Sequence, residues 1–256
     1  MNDCPTNHPT LPSLFDPDIP DMPALWAVLE GRHRGIAWAD DAQTPSQCVL
    51  RTDACLTFSS RSISRAFLSS ALGQARRVGP VWLIWSSETL PDLRGSKPTG
   101  VTKRLAFSEY DPNSTRLADL RRRVPDGHHI RRIDWALLQR CQWRSDMEFF
   151  CGSVENFLTN DLGLCMMRGD EIIVEAYASS LGRTHAEIGA VTREPYRGRG
   201  YAPVTCAHLI AALEGRGYHA YWSCDSDNTA SIRVAEKIGF QQQKPYLVLE
   251  YDPDNG

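Results

Sequence analysis

Two glycines lie one residue apart in Tyr196-Arg197-Gly198-Arg199-Gly200-Tyr201-Ala202, between a strand-like run, Thr184 to Thr192, and a helix-like run, Pro203 to Glu214. Glycine at a strand-to-helix turn lets the backbone approach a ligand without a Cβ in the way and take up left-handed conformations. The helix that follows turns its unpaired N–H groups, and the positive end of its dipole, toward the same place. A stretch built this way is an anion site suited to phosphate or pyrophosphate. Arg193, Arg197 and Arg199 add cationic donors around it.

The rest of the composition narrows the partners. The 256 residues are 42% hydrophobic and 23% charged, with a formal net charge of -3, which gives no overall basic field to recruit nucleic acid or membrane. Eight cysteines occur, none in C-x-x-C spacing, and runs such as Gly163-Leu164-Cys165-Met166-Met167 place them as small core residues. The expectation is a reduced chain without disulfides or metal. The proline-rich, acidic first twenty residues are unlike a signal peptide, and no apolar run reaches membrane-spanning length. These features predict a cytoplasmic protein with no membrane and no nucleic-acid partner, as a monomer or homodimer.

Along the chain, residues 1–20 read as a loose arm, because their prolines and acids leave no periodic apolar face. A smaller α/β domain follows at 21–125, with a helix at Met22–Glu30 and strands at Gly35–Ala39, Cys48–Arg51, Cys55–Phe58 and Val81–Trp85. Between the last two strands, Ser62 is expected to cap a helix reaching about Ala75. Trp38, Trp82 and Trp85 read as core. Pro91–Thr102 reads as a connector, Leu105–Ser108 as a further strand, and Leu117–Val124, rich in arginine, as a solvated helix face. Ile130–Cys141 shows helical periodicity, and a soft boundary falls between 115 and 140. The second domain, 126–256, reads strand, strand, strand, helix, strand, helix, strand from Leu162 onward. Its features include a hairpin turn at Arg168–Glu171 and a helix that opens at Asn228 and closes at Gly239-Phe240.

Arg197-x-x-Gly200-x-Ala202, with Asn228-x-x-Ser231 and Lys237-x-Gly239-Phe240 downstream, resembles the acetyl-CoA signature and following helix of the GCN5-related N-acetyltransferase superfamily. The resemblance covers about 150–252. More narrowly, Glu187-Ile188-Gly189, Thr192, Tyr196-Arg197-Gly198, Trp222-Ser223-Cys224, Ala235-Glu236-Lys237 and the N-terminal Gly35 to Asp41 stretch resemble the group containing the zwittermicin A resistance acetyltransferase. The fold this implies is a mixed, mostly antiparallel sheet with flanking helices and a splayed strand pair, here 185–192 and 218–224. The function it implies is acetyl transfer from acetyl-CoA to a primary amine of a small molecule such as an antibiotic or metabolite. Pantetheine would pair with the backbone of Ala190, Val191 and Thr192. Pyrophosphate would take N–H groups from Gly198, Arg199, Gly200, Tyr201 and Ala202 beside Arg197, with Asn228 and Ser231 completing the donor site.

Direct transfer needs a neutral amine, hence a base within hydrogen-bond reach or one water away. His185, Glu187 and Gly189 share one strand face by the period of two, making Glu187 the first candidate and His185 the second. The superfamily's usual acid, a tyrosine four residues before the Gly-Phe glycine, is replaced here by Ala235. Ser223, Cys224 and Tyr246 are candidate substitutes as donors to the CoA thiolate, although no local histidine activates Cys224 as a nucleophile. Other readings are a catalytically weak acyl-CoA sensor, a protein or peptide acetyltransferase, and a nucleic-acid module using Arg116–Arg123. The acidic balance weighs against the last. The N-terminal half reads either as a degenerate copy of the same fold or as a cap on the acceptor cleft.

Overall fold

The computed structural model describes residues 1–256 except 92, 94–96, 112–113, 161–162, 242 and 255–256. Leu162, expected to begin a strand, lies outside the described residues, as do parts of the 91–102 connector. Two compact units form, Met1–Ala106 with Lys244–Gly256, and Phe107–Gln243. The expected boundary region 115–140 thus falls inside the second unit, and the last strand of the chain belongs to the first.

In the first unit, β1 (Asn2–Cys4), β2 (Gly35–Ala39), β3 (Cys48–Thr52) and β4 (Leu56–Ser59) pair in turn, antiparallel. β5 (Val81–Trp85) joins β4 in parallel, and the C-terminal strand β12 (Lys244–Tyr251) runs antiparallel between β5 and β6 (Gly100–Phe107). Residues 1–20 are not a loose arm. β1 pairs with β2, a short helix α1 spans Leu11–Leu14, and Leu11, Phe15 and Ile19, spaced four apart, are buried. Three apolar anchors offset the ordering cost that the prolines and acids alone could not. α2 (Met22–Leu29) is buried along nearly its whole length. α3 (Arg65–Val78) is capped by Ser64, whose hydroxyl accepts from the Phe67 N–H, rather than by Ser62. Its Leu68, Ala71, Leu72 and Ala75 pack on Val49, Leu83 and Leu249.

The second unit opens with α4 (Thr115–Arg121) and β7 (His128–Arg132), followed by three short helices, α5 (Trp135–Leu138), α6 (Arg144–Phe150) and α7 (Val154–Thr159). The helical periodicity at Ile130–Cys141 therefore gives way at its start to a strand. His128–Arg132 pair with Leu164–Arg168, and ladder bonds outweigh a weak local helical preference. β8 (Gly163–Arg168), β9 (Glu171–Gly182) and β10 (His185–Thr192) follow as antiparallel neighbours, and β11 (His219–Asp225) joins β10 in parallel. α8 (Tyr201–Glu214) is the crossover between β10 and β11, and α9 (Thr229–Ile238) follows β11. α8 buries Val204 against Met166, Ile173 and Val174, which anchors its N-terminal turn to the sheet. Each unit is thus a mostly antiparallel sheet with flanking helices. All eight cysteines are free and buried.

Candidate active site

The site grows from the way β10 leaves β11. Its pairing with β11 runs through His185–His219, Ala186–Ala220 and Glu187–Tyr221, and the register shows no pair beyond these among the described residues. β10 continues to Thr192 and β11 to Asp225, so two parallel strands separate beyond Glu187. On the other side β10 stays paired with β9 to Thr192, with a register shift between Glu187 and Ile188 that leaves Ser179 extra on β9. A bulge of this kind bends the strand and increases its twist, which opens the gap. The Ser179 hydroxyl donates to the Glu187 carbonyl at 3.3 Å and fixes the bulge.

Beyond β10, a single 3-10 turn (Glu194–Tyr196) leads into the glycine loop. Gly198 and Gly200 both take left-handed conformations, with φ of 76° and 79°, and a Cβ on either would meet nothing within 4 Å. Open space thus lies over both. Gly200 is the N-cap of α8 and supplies no side chain, so the first N–H groups of that helix lack a side-chain cap. Tyr196 pins the loop from below: its hydroxyl donates to Glu171 at 2.6 Å and accepts from Arg168 at 3.0 Å, while the Arg199 guanidinium lies 5.7 Å over its ring. Arg197, exposed, donates through Nε to the Thr192 carbonyl. Arg193 turns away from the loop and donates to the Arg140 carbonyl at 2.8 Å. Of the three arginines around the loop, Arg197 and Arg199 are exposed and Arg193 is half-buried.

Glu187 and Ser223 meet where the strands part. The Ser223 hydroxyl donates to Glu187 Oε1 at 2.7 Å, across 36 residues of sequence. His185 lies at the closed end of the pair, its ring 5.8 Å from that of His219 and its Nδ1 3.1 Å from the Thr184 hydroxyl. Cys224, buried, alternates to the opposite face from Ser223. Asn228 caps α9 by accepting from the Ser231 N–H at 3.0 Å, and the Ser231 hydroxyl accepts from the Trp222 indole. Tyr246 belongs to the first unit, where its hydroxyl donates to Asp21 at 2.9 Å and accepts from Arg104 at 2.9 Å.

The sequence model of the GNAT acetyltransferase family matches residues 14–249, nearly the whole chain. This chain belongs to that family. The GNAT acetyltransferase described here is 26% identical, over 236 residues and 88% of each chain, to a protein of Bacillus subtilis (strain 168) named uncharacterized N-acetyltransferase YdfB. A solved GCN5-related N-acetyltransferase-like protein from Streptococcus suis 89/1591 is 25% identical, with a TM-score of 0.67 over 93% of this chain and 96% of that one. A tandem GNAT protein from the clavulanic acid biosynthesis pathway shares the fold at 13% identity, with a TM-score of 0.62 over 91% and 88%.

The GNAT family uses acetyl-CoA as its cosubstrate, and the open left-handed loop at an uncapped helix start fits a pyrophosphate. Ala235, in place of the superfamily's tyrosine, is fully buried, and its carbonyl accepts from the Gly239 and Phe240 N–H groups. Around this GNAT centre the structure also places residues that the sequence did not single out. Glu175 on β9, 1% exposed, accepts from the backbone N–H groups of Gln142 at 2.6 Å and Trp143 at 2.9 Å. Burial pushes its carboxyl above the usual carboxylate range, against the pull of those two bonds and Arg193. Tyr177, opposite Gly189, has its phenol pushed up by burial and then by the charges of Cys151, Asp146 and Glu187. The only sequence signal for either was a polar residue inside an otherwise apolar strand, Ile172–Ala178. Among the described residues no cluster of three or more His, Cys, Asp or Glu is arranged to hold a metal ion, and no helix is long and apolar enough to cross a membrane.

Proposed function

We propose that this acetyltransferase transfers the acetyl group of acetyl-CoA directly to a primary amine of a small molecule, with Glu187 as the base. The observation that carries this reading is the Ser223–Glu187 hydrogen bond of 2.7 Å at the fork of β10 and β11. Acetyl-CoA, when bound, supplies the acetyl group as a reactive thioester. Gly198 to Ala202 would hold its pyrophosphate beside Arg197 and Arg199, and the unpaired edge of Ala190, Val191 and Thr192 would pair with its amide arm. Asn228 and Ser231 close that side.

Glu187 then takes the proton that the amine must lose, directly or through one water, and the amine lone pair attacks the thioester carbonyl. Ser223 fixes the carboxylate and relays to the departing thiolate the proton that Glu187 has taken, its own hydroxyl being restored by that proton; Cys224 faces away. His185, two residues from Glu187 on the same face, is a secondary relay. The resemblance to the zwittermicin A resistance group supports a small-molecule acceptor. Glu187→Gln should lower kcat about 10²- to 10⁴-fold, the usual range for losing a positioned base, while leaving the calorimetric affinity for acetyl-CoA unchanged. Unchanged turnover and pH profile would remove Glu187 from this role. Buried Ala235 favours one second reading, a weak acyl-CoA sensor, which thiol release with a panel of amines separates from an enzyme.

A further inference from the structure

Glu187, Gly189 and Val191 project from one face of β10, because Ala186 and Ile188 are buried on the other. Pairing places Tyr177 opposite Gly189 and Glu175 opposite Val191, so both β9 residues join that face. Above it runs the segment between α5 and α6. The Glu175 carboxylate holds that segment by its two backbone N–H groups, at 2.6 and 2.9 Å, and Arg193 braces it from the far end through the Arg140 carbonyl at 2.8 Å. What this clamp presents is the Trp143 ring. Its Cζ3 lies 3.6 Å from where a Cβ on Gly189 would stand, and its centroid is 5.9 Å from that of Tyr177, edge to face at 82°. Tyr177 is 5% exposed.

Resting on the acetyl-transfer reading above, we infer that Trp143 and Tyr177 form the wall that receives the acceptor, that Glu175 is the positioning residue for this wall, and that the acceptor class is a monoamine borne on an apolar or aromatic framework. The chemistry follows from the lining. Two rings meeting edge to face present an apolar slot for a carbon skeleton and a π face for an approaching ammonium. The Tyr177 hydroxyl supplies a hydrogen-bonding group beside the slot, and Glu187 is the carboxylate two residues from Gly189 on the same strand face. Asp146, exposed on α6, adds a second negative charge near Tyr177 and draws cations in without being buried by them.

The test uses the full chain with 2-phenylethylamine and ethylamine as probe acceptors, and reads the ratio of their kcat/KM values, in which intrinsic amine reactivity cancels between variants. Wild type should prefer 2-phenylethylamine. Trp143→Ala should lower the ratio tenfold or more through KM, with the dissociation constant for CoA unchanged. Trp143→Phe should restore most of it, and Glu175→Gln, which keeps one of two acceptor oxygens, should lower it severalfold. Trp143→Leu serves in place of Trp143→Ala if the latter melts early. A ratio that does not move in the Trp143 variants, or acetylation of neither probe by a protein that binds acetyl-CoA and acetylates some other amine, overturns the inference and leaves acetyl transfer standing. Absence of acetyl-CoA binding in calorimetry overturns acetyl transfer itself, and the inference with it.

Discussion

Replacing Gly200 by alanine separates what the loop does for the fold from what it does for the ligand. The residue sits at φ 79°, and a Cβ there would touch nothing within 4 Å, so the fold loses only backbone conformational energy. For an L-residue in the left-handed region that cost is about 1–2 kcal/mol, reduced by roughly 0.4–1 kcal/mol because alanine also restricts the unfolded chain. The expected net loss of about 1 kcal/mol corresponds to a fall of about 2–4 °C in Tm for a chain of this size. Binding should suffer more. The added methyl stands in the open space over the loop, where a pyrophosphate oxygen would take the N–H groups of Gly200 and Tyr201. Losing one charge-assisted hydrogen bond costs about 1.5–3 kcal/mol, or about 10- to 150-fold in Kd. Calorimetric titration with CoA reads this directly. S-acetylpantetheine, which lacks the pyrophosphate, serves as the control and should bind both proteins alike. CoA affinity within twofold of wild type, or an equal loss for S-acetylpantetheine, would refute the assignment of the loop to pyrophosphate.

Two further predictions rest on single contacts. Asn228→Ala removes the cap on α9 and should cost about 1 kcal/mol, whereas Asn228→Asp keeps the accepting oxygen that bonds the Ser231 N–H. If the Asn228 amide also donates to the cosubstrate, Asn228→Asp melts like wild type yet binds CoA more weakly, and equal affinity confines the residue to capping. Glu175 gives a pH dependence: its carboxyl is raised above 4.5, so the folded chain keeps a proton that the unfolded chain has already released. Stability should therefore fall as pH rises from 4.5 through the raised value and then level off, and Glu175→Gln should flatten that slope in urea midpoints measured from pH 4 to 8. An identical slope in the variant would assign the effect elsewhere.

What the sequence made legible was local. The glycine loop could be read because a left-handed turn before a helix leaves few residue choices, and α8, β8 and β9 because their apolar runs are long and punctuated by Gly169 and Gly215. Capping by Asn228 was legible for the same reason, since cap and partner are three residues apart. Strand β7 was missed because His128–Arg132 has little apolar content of its own and becomes a strand through its partner. The N-terminal segment was misread because three buried residues spaced four apart do not register as a period in a proline-rich stretch. The site contacts lay beyond local reading altogether. Ser223 finds Glu187 across 36 residues and Trp143 finds Glu175 across 32, and both pairs follow from strand register and chain crossover.

Ala235 sharpens how the two halves of the proposed reaction depend on each other. The usual acid is not merely absent from this chain. Its position is closed, because Ala235 is fully buried on α9 and its carbonyl already serves the Gly239–Phe240 ending, so a side chain there cannot reach a cleft without repacking the helix. Tyr246 is committed to Asp21 and Arg104 in the first unit. On the proposed reading this leaves the hydroxyl of Ser223, which in the resting site donates to Glu187. A carboxyl that has just taken the amine's proton becomes the donor in this contact, so Ser223 can pass its own proton to the thiolate and be restored by that of Glu187. Base and acid would then be coupled through one 2.7 Å contact. Both roles would then depend on that contact, and removing Ser223 would slow the release of CoA as well as weaken Glu187 as the base.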